Sequence, residues 1–305
     1  MRHLEQQNAL ELTVRIGCPV LCEFCPQDIL TLKSKNTRKR VLQTEDLRTI
    51  IANSSTLRPL RIVFAGFAEP FSVPHIGDLL RVCEEDERVQ RITVYTTGEG
   101  LTGELLEFMA ELRKLYPDPH APSNRYLNFH VRPRSDYSLM KGARGDIWQR
   151  IPQIARLFPE ARFVCVTVGV TPEGIDEMRR ELRDQKLRLT TRALESRAGN
   201  VSSVNGRRLT YERVDQAVSC CKVRPATFMP VVLPDGSTYP CCNDYGRELA
   251  IGNLLTESWE ELDFSHVRQL QKNPTSDAPC FRGCHLAEPQ SGLLREASTL
   301  SAVWE

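Results

Sequence analysis

The residues best equipped for chemistry are cysteines, and they come in groups. Cys18, Cys22 and Cys25 place three thiols within eight residues in a C-x3-C-x2-C arrangement, with Phe24 just before the third. Thiolates are soft ligands that select zinc, copper(I) or iron–sulfur clusters, and a loop this short can aim three of them at one polynuclear centre. Three ligands on four irons leave one iron open. A zinc knuckle or a set of reduced structural thiols is the plain alternative. A second set lies near the C-terminus: the doublets Cys220-Cys221 and Cys241-Cys242, then Cys280 and Cys284. Between the doublets, short strands at 231–233 and 237–239 flank Pro234-Asp235-Gly236, which predicts a β-hairpin. A hairpin brings its ends together, so Cys221 and Cys241 can reach the same metal. With Cys280 and Cys284 they make a four-thiolate set, able to saturate a cluster or to hold a structural zinc. Cys83 and Cys165 fall at apolar positions of a helix and a strand, where a thiol serves as a small core residue.

The elements that must position these groups alternate regularly. An apolar stretch over residues 10–16 predicts a buried strand that delivers the first cysteine loop at its C-terminal end. A basic run over residues 33–41 follows as a solvated loop. Thr44 then opens a helix with a capping hydroxyl and acids in its first turn. The strand at 60–65 runs into Gly66-Phe67-Ala68-Glu69-Pro70, where a carboxylate at a strand end can accept a charge-assisted hydrogen bond from an amine. Further strands are expected at 91–97, 126–131, 161–168 and 187–194. Helices are expected at 76–84, 102–112, 146–158 (bent by Pro152) and 172–185. Met109, at helical spacing among apolar residues, belongs to the core.

Six strand–helix alternations predict an α/β fold, a parallel sheet flanked by helices. The pattern alone fits both a curled partial barrel and an open doubly wound sheet. In either, ligands gather at the C-terminal strand ends, where the cysteine loop, Glu69, Thr97 and His130 fall. Arg197 follows the sixth strand, at the same mouth. Residues 199–219 are polar and form a linker, which divides the chain into 1–198, 199–219 and 220–305. The segment from Ser258 through residue 271 predicts a helix ahead of the last cysteine pair.

Composition narrows the function classes. The 305 residues carry 40 Lys and Arg against 39 Asp and Glu, so no global field argues for nucleic acid or an anionic membrane. No stretch of eighteen apolar residues exists, and the N-terminus lacks a signal-peptide core. A cytoplasmic location is expected, where eleven cysteines mean metal or redox use rather than disulfides.

The first cysteine triplet resembles that of the radical S-adenosylmethionine (SAM) enzymes, whose three-cysteine [4Fe–4S] cluster chelates SAM through its open iron. In that family an aromatic residue, here Phe24, packs near the adenine. The Gly66–Glu69 turn resembles the family's G-G-E-P turn, with Phe67 in place of the second glycine, and Thr96-Thr97-Gly98 resembles its T-N-G turn. The resemblance implies SAM contacts at Phe24, Gly66, Glu69, Thr97 and His130, and a (βα)6 partial TIM barrel. Fourteen residues from Cys221 to Gly236, then four to Cys241, resemble the opening of the SPASM and shorter twitch domains. That resemblance implies a small C-terminal hairpin-plus-helix domain with one further [4Fe–4S] cluster on Cys221, Cys241, Cys280 and Cys284. Cys220 and Cys242 are surplus to this set, or substitutes for their neighbours.

The activity so implied is cleavage of SAM to a 5′-deoxyadenosyl radical that takes hydrogen from a small hydroxylated substrate of sugar, aminocyclitol or aminoglycoside type. The second cluster would accept an electron in a dehydrogenation, and flavodoxin or ferredoxin would supply electrons to the first. Arg197 is a conceivable orienter, but no base stands out. An epimerase using the thiol of Cys220 or Cys242 as hydrogen donor is the closest rival. Peptide maturation is another, although only seventeen residues precede Cys18. A zinc-binding module is the non-catalytic alternative.

Overall fold

The computed structural model describes residues 8–33, 40–57, 60–115, 126–194 and 229–265, with residue 201 and short strands at 203–204, 207–210, 218–220, 287–289 and 303–304. Six strands follow one another across a sheet: β1 (Ala9–Leu12), β2 (Leu60–Phe64), β3 (Val89–Thr96), β4 (Leu127–His130), β5 (Arg162–Val166) and β6 (Arg188–Arg192). Each is parallel to its neighbours in sequence. That order decides what the sequence left open. A doubly wound sheet reverses its strand order at a switch point, whereas this one winds in a single direction. The fold is therefore the partial-barrel type of α/β architecture.

Among the described residues six helices flank the strands: α1 (Gln27–Lys33), α2 (Thr44–Asn53), α3 (Ile76–Glu85), α4 (Gly103–Leu115), α5 (Ile151–Leu157) and α6 (Pro172–Asp184). Period-two alternation sorts the strand residues. Leu10, Leu12, Ile62, Phe64, Val94, Phe129, Phe163 and Cys165 belong to the main core, with Leu47, Leu80, Met109 and Met178 from the helices. Intervening residues such as Val63, Tyr95, His130 and Val164 face the other way and line a cavity.

Several local expectations change. The first strand ends at Leu12 rather than residue 16, because the chain turns to pair Arg15 with Val41. α1, directly behind the cysteine loop, was not anticipated; its seven residues are too few to announce a period. Thr44 does not cap α2. Gln43 occupies the cap position without a side-chain bond, and the Thr44 hydroxyl donates to Glu45 instead. Pro152 does not bend one long helix. A 3-10 turn over Asp146–Arg150 leads into α5, and the proline sits in its first turn, where a missing N–H costs nothing. Of the helix expected from Ser258, the described part is a 3-10 turn at Trp259–Glu261 closed by a Ser258–Glu261 capping box.

The larger difference concerns the C-terminal hairpin. β7 (Ser203–Val204), β8 (Arg207–Thr210) and β9 (Val218–Cys220) fall in or beside the polar stretch after β6 and pair locally or with β13 (Ala287–Pro289) and β14 (Val303–Trp304). Then β10 (Val231–Val232) lies parallel to β1, with the Glu11 and Thr13 amides donating to Pro230 and Val232 carbonyls at 2.8 and 2.9 Å. β11 (Ser237–Tyr239) and β12 (Gly252–Asn253) extend it antiparallel. The hairpin is thus continuous with the barrel sheet. Its turn forms as expected, with Gly236 at φ +80 and the Ser237 amide donating to Asp235 at 3.1 Å.

Candidate active site

The cysteine loop is held from two sides. Antiparallel bonding with residues 139–141 clamps it, Cys22 bridging Met140 and the Glu23 amide donating to the Leu139 carbonyl at 2.9 Å. Lys141 and Glu23 reinforce the clamp with an ion pair at 3.0 Å. Inward, the amides of Val20 and Glu69 point at the Cys18 sulfur. The loop and the turn after β2 are therefore in direct contact.

Burial pushes the Cys18 thiol up to about 12 in spite of those two amides, and the nearby Glu69 carboxylate and Cys25 add to the rise. Such a sulfur keeps its proton near neutrality unless a metal takes the proton's place. Among the described residues no three His, Cys, Asp or Glu side chains converge on one point closely enough for a single metal ion. Cys18, Cys22 and Cys25 all line one cavity, where a polynuclear centre would give each thiolate its own iron. The donor set fits a [4Fe–4S] cluster.

Glu69 is 3% exposed and fully engaged. One oxygen accepts from the Phe71 amide at 3.1 Å and from the Thr96 hydroxyl; the other accepts from the Thr97 amide and hydroxyl, both at 2.7 Å. Burial raises its carboxyl above the ordinary range while these four donors pull the other way. Thr97 is thus bound to Glu69, and together they tie the turn after β2 to the end of β3. Gly66 adopts φ +67 beside Thr13, whose Oγ1 would lie 2.1 Å from any Cβ at that position. Glycine is required there sterically as well as conformationally.

Cys18, Cys22, Phe24, Cys25, Gly66, Glu69, Thr97 and His130 all line one cavity of about 360 Å³. His130 stacks edge-on to Tyr95 with ring centroids 6.2 Å apart. Phe24 packs at the cavity wall near Leu139 and Val168. Cys242 also lines the cavity, while its neighbour Cys241 is buried and accepts the Asn243 amide at 3.3 Å. Cys83 and Cys165 are buried in the main core, as their positions predicted. Arg197, Cys221, Cys280 and Cys284 lie outside the described residues, and of Cys220 only the β9 backbone is described.

Three charged residues of the cavity, Glu11, Arg132 and Arg192 at the end of β6, escaped the sequence reading. Glu11, 6% exposed, projects from β1 and accepts the Gly66 amide at 2.8 Å. Alternation in Ala9–Leu12 would have found it, since an acid between two leucines points away from the helices. Arg132, 1% exposed, stands two residues beyond His130 and donates to the Val166 and Val168 carbonyls at 3.1 and 2.7 Å. Asp136, four residues on, pairs with it at 3.4 Å, but the carbonyl partners of Arg132 come from the far end of β5, beyond the reach of local sequence.

Comparison with known proteins agrees with this geometry. Residues 13–144 match the radical SAM superfamily. The chain carries a radical SAM domain. Residues 220–285 match the SPASM iron–sulfur cluster-binding domain, so this radical SAM enzyme uses SAM, a [4Fe–4S] cluster and further iron–sulfur ligation. No curated protein matches the sequence. Among solved structures, BtrN in complex with AdoMet and 2-DOIA is 16% identical, with 91% of this chain and 92% of that one covered and a TM-score of 0.53. Streptococcus suis SuiB bound to precursor peptide SuiA is 14% identical, covering 92% and 70%, with a TM-score of 0.62. AnSMEcpe with bound AdoMet and Cp18Cys peptide is 15% identical, covering 96% and 92%, with a TM-score of 0.54. At these identities the likeness establishes the fold of this radical SAM enzyme. Among its described residues no helix is long and apolar enough to cross a membrane.

Proposed function

We propose that the chain is a radical SAM oxidoreductase that dehydrogenates a small hydroxylated substrate of sugar, aminocyclitol or aminoglycoside type. The observation that carries the reading is the single cavity in which the cysteine triplet, the Glu69 turn, Glu11 and His130 meet. The fold of BtrN, crystallised with AdoMet and 2-DOIA, extends over nearly the whole of both chains and agrees with that class.

SAM bound at the Cys18, Cys22 and Cys25 cluster supplies the one-electron chemistry that breaks an unactivated C–H bond, with flavodoxin or ferredoxin as the electron source. The chain's own residues do the rest. Phe24, Gly66, Thr97 and His130 cradle SAM. Glu69 contributes by holding the two strand ends in register, since all its acceptor directions are committed within the chain. Val63, Val164 and Val166 form an apolar wall that excludes water and competing hydrogen donors. Glu11, anchored by the Gly66 amide, takes the hydroxyl proton as the alcohol carbon becomes a carbonyl. Cys221, Cys241, Cys280 and Cys284 would hold the second cluster, which would supply an acceptor for the remaining electron. Arg197 is the proposed orienter of the substrate.

The test is anaerobic reconstitution with iron and sulfide, then dithionite, SAM and a panel of carbinol-deuterated sugars and aminocyclitols. About eight irons per chain, deuterium in 5′-deoxyadenosine and a product two hydrogens lighter are expected. Colourless protein with stoichiometric zinc and no SAM turnover would sink the reading.

The placement of Cys242 in the same cavity favours a second reading, an epimerase in which this thiol gives a hydrogen to the opposite face of the substrate. Substrate mass is then unchanged in ordinary water, one solvent deuterium enters in D2O, and Cys242→Ala stops the reaction. Cys220 is the alternative thiol, separated by its own alanine variant.

A further inference from the structure

A small core beneath the cysteine loop joins two distant parts of the chain. Ile16, Leu30 and Phe67 come from the barrel, whereas Val231, Leu233, Tyr239 and Tyr245 come from the C-terminal segment; Cys25 and Cys242 pack at its edge. Tyr245 is 3% exposed, and its ring centroid lies 4.6 Å from that of Phe67 at a tilt of 56°. Its hydroxyl oxygen is 3.6 Å from the Cys25 sulfur, within hydrogen-bond range for sulfur. Gln27 brings a second donor, Nε2, to the same sulfur at 3.6 Å while also donating to the Phe67 carbonyl.

The turn carrying Tyr245 is fastened at both ends. The Asp244 carboxylate accepts the Glu248 and Leu249 amides at 2.9 and 2.8 Å, and the Arg247 guanidinium donates to the Lys33 carbonyl at the end of α1. The helix that follows Cys25 therefore holds the segment that reaches back to it. Phe67 also gains a purpose. It stands where related turns carry glycine, and its ring is the surface on which Tyr245 rests.

We propose that Tyr245 is a positioning residue for the N-terminal cluster: its O–H donates to the Cys25 sulfur, and through it the C-terminal segment tunes that cluster's electron affinity. This rests on reading Cys18, Cys22 and Cys25 as cluster ligands. A free thiol could act as donor to the phenol, but an iron-bound sulfur has no proton, so the bond then runs only from Tyr245 to Cys25. Hydrogen bonds to ligating sulfurs stabilise the more electron-rich, reduced cluster and raise its potential.

Tyr245→Phe keeps the ring against Phe67 and removes only the hydroxyl. In anaerobically reconstituted protein, an EPR-monitored redox titration of the signal that SAM perturbs is expected to show a midpoint more negative in the variant. Pulsed EPR in D2O is expected to show an exchangeable deuteron coupled to this cluster in the parent chain, absent from Tyr245→Phe. An unmoved midpoint with unchanged coupling overturns the assignment. Lower iron content with an unmoved midpoint in the remaining cluster reveals packing alone and overturns it too. If replacing all three triplet cysteines by alanine removes no iron, the cluster reading fails and this inference with it.

Discussion

Both oxygens of Glu69 accept two hydrogen bonds each, so this carboxylate acts first as a staple between the β2 turn and the end of β3. Glu69→Ala strands the donors of Thr96 and Thr97 in a buried place and is expected to cost about 3–5 kcal/mol, read by urea denaturation of the metal-free protein. Thr97→Ala removes one of the four side-chain and amide donors and should cost only about 1 kcal/mol in the same assay. The cysteines divide in a parallel way. Cys83 is fully buried among Leu79, Leu80 and Met109, so Cys83→Ala is expected to lower stability by about 1–2 kcal/mol while leaving the iron content of reconstituted protein unchanged. Cys22→Ala, at the cavity, should do the reverse, costing little stability and losing the N-terminal cluster.

At the scale of elements, the corner between α3 and β3 is fixed by one residue pair. Asp86 accepts the Arg88 amide at 3.0 Å and its guanidinium at 2.7 and 2.5 Å. The Arg88 side chain holds the Asp86 carboxyl below its usual range. Because the folded value lies below the unfolded one, the pair contributes stability above the unfolded pKa, near pH 4, and loses it as pH falls through the folded value. Solvent screening limits the contribution to about 0.5 kcal/mol. Arg88→Leu is therefore expected to lower stability slightly at pH 7 and to flatten the acid limb below about pH 4, followed by denaturant midpoints across pH. α6 illustrates an end that local chemistry fully specifies, with the Thr171 hydroxyl accepting the Gly174 amide at 3.2 Å and Pro172 opening the first turn. α2 shows the limit of the same reasoning, since its Thr44 hydroxyl turned to Glu45 instead of capping.

At the scale of the whole molecule, the C-terminal hairpin extends the barrel sheet along β1. β10 supplies main-chain bonds to β1, Asn53 of α2 donates to the Leu254 carbonyl at 2.9 Å, and Arg40 donates to the Pro234 carbonyl at 2.9 Å. A chain truncated after residue 228 would expose the β1 edge and the apolar faces of Ile16 and Phe67. Such a chain is expected to aggregate, whereas one truncated after residue 265 should keep the sheet; size-exclusion chromatography of both distinguishes them.

The sequence by itself determined the alternation of barrel strands and helices, α1 apart, and carried the thiol motifs. Strand and helix periods are local, and the triplet, the Gly66–Glu69 turn and the Asp235-Gly236 hairpin each lie within a few consecutive residues. Tertiary structure alone decided the single winding direction of the sheet and the joining of the hairpin to β1. It also placed Glu11, Arg132, Cys242 and Tyr245 around the cysteine loop. These depend on pairings between residues far apart in the chain, such as the 220 positions separating Cys25 from Tyr245. No local preference of either segment encodes such a contact; only burial of the surfaces they share selects it.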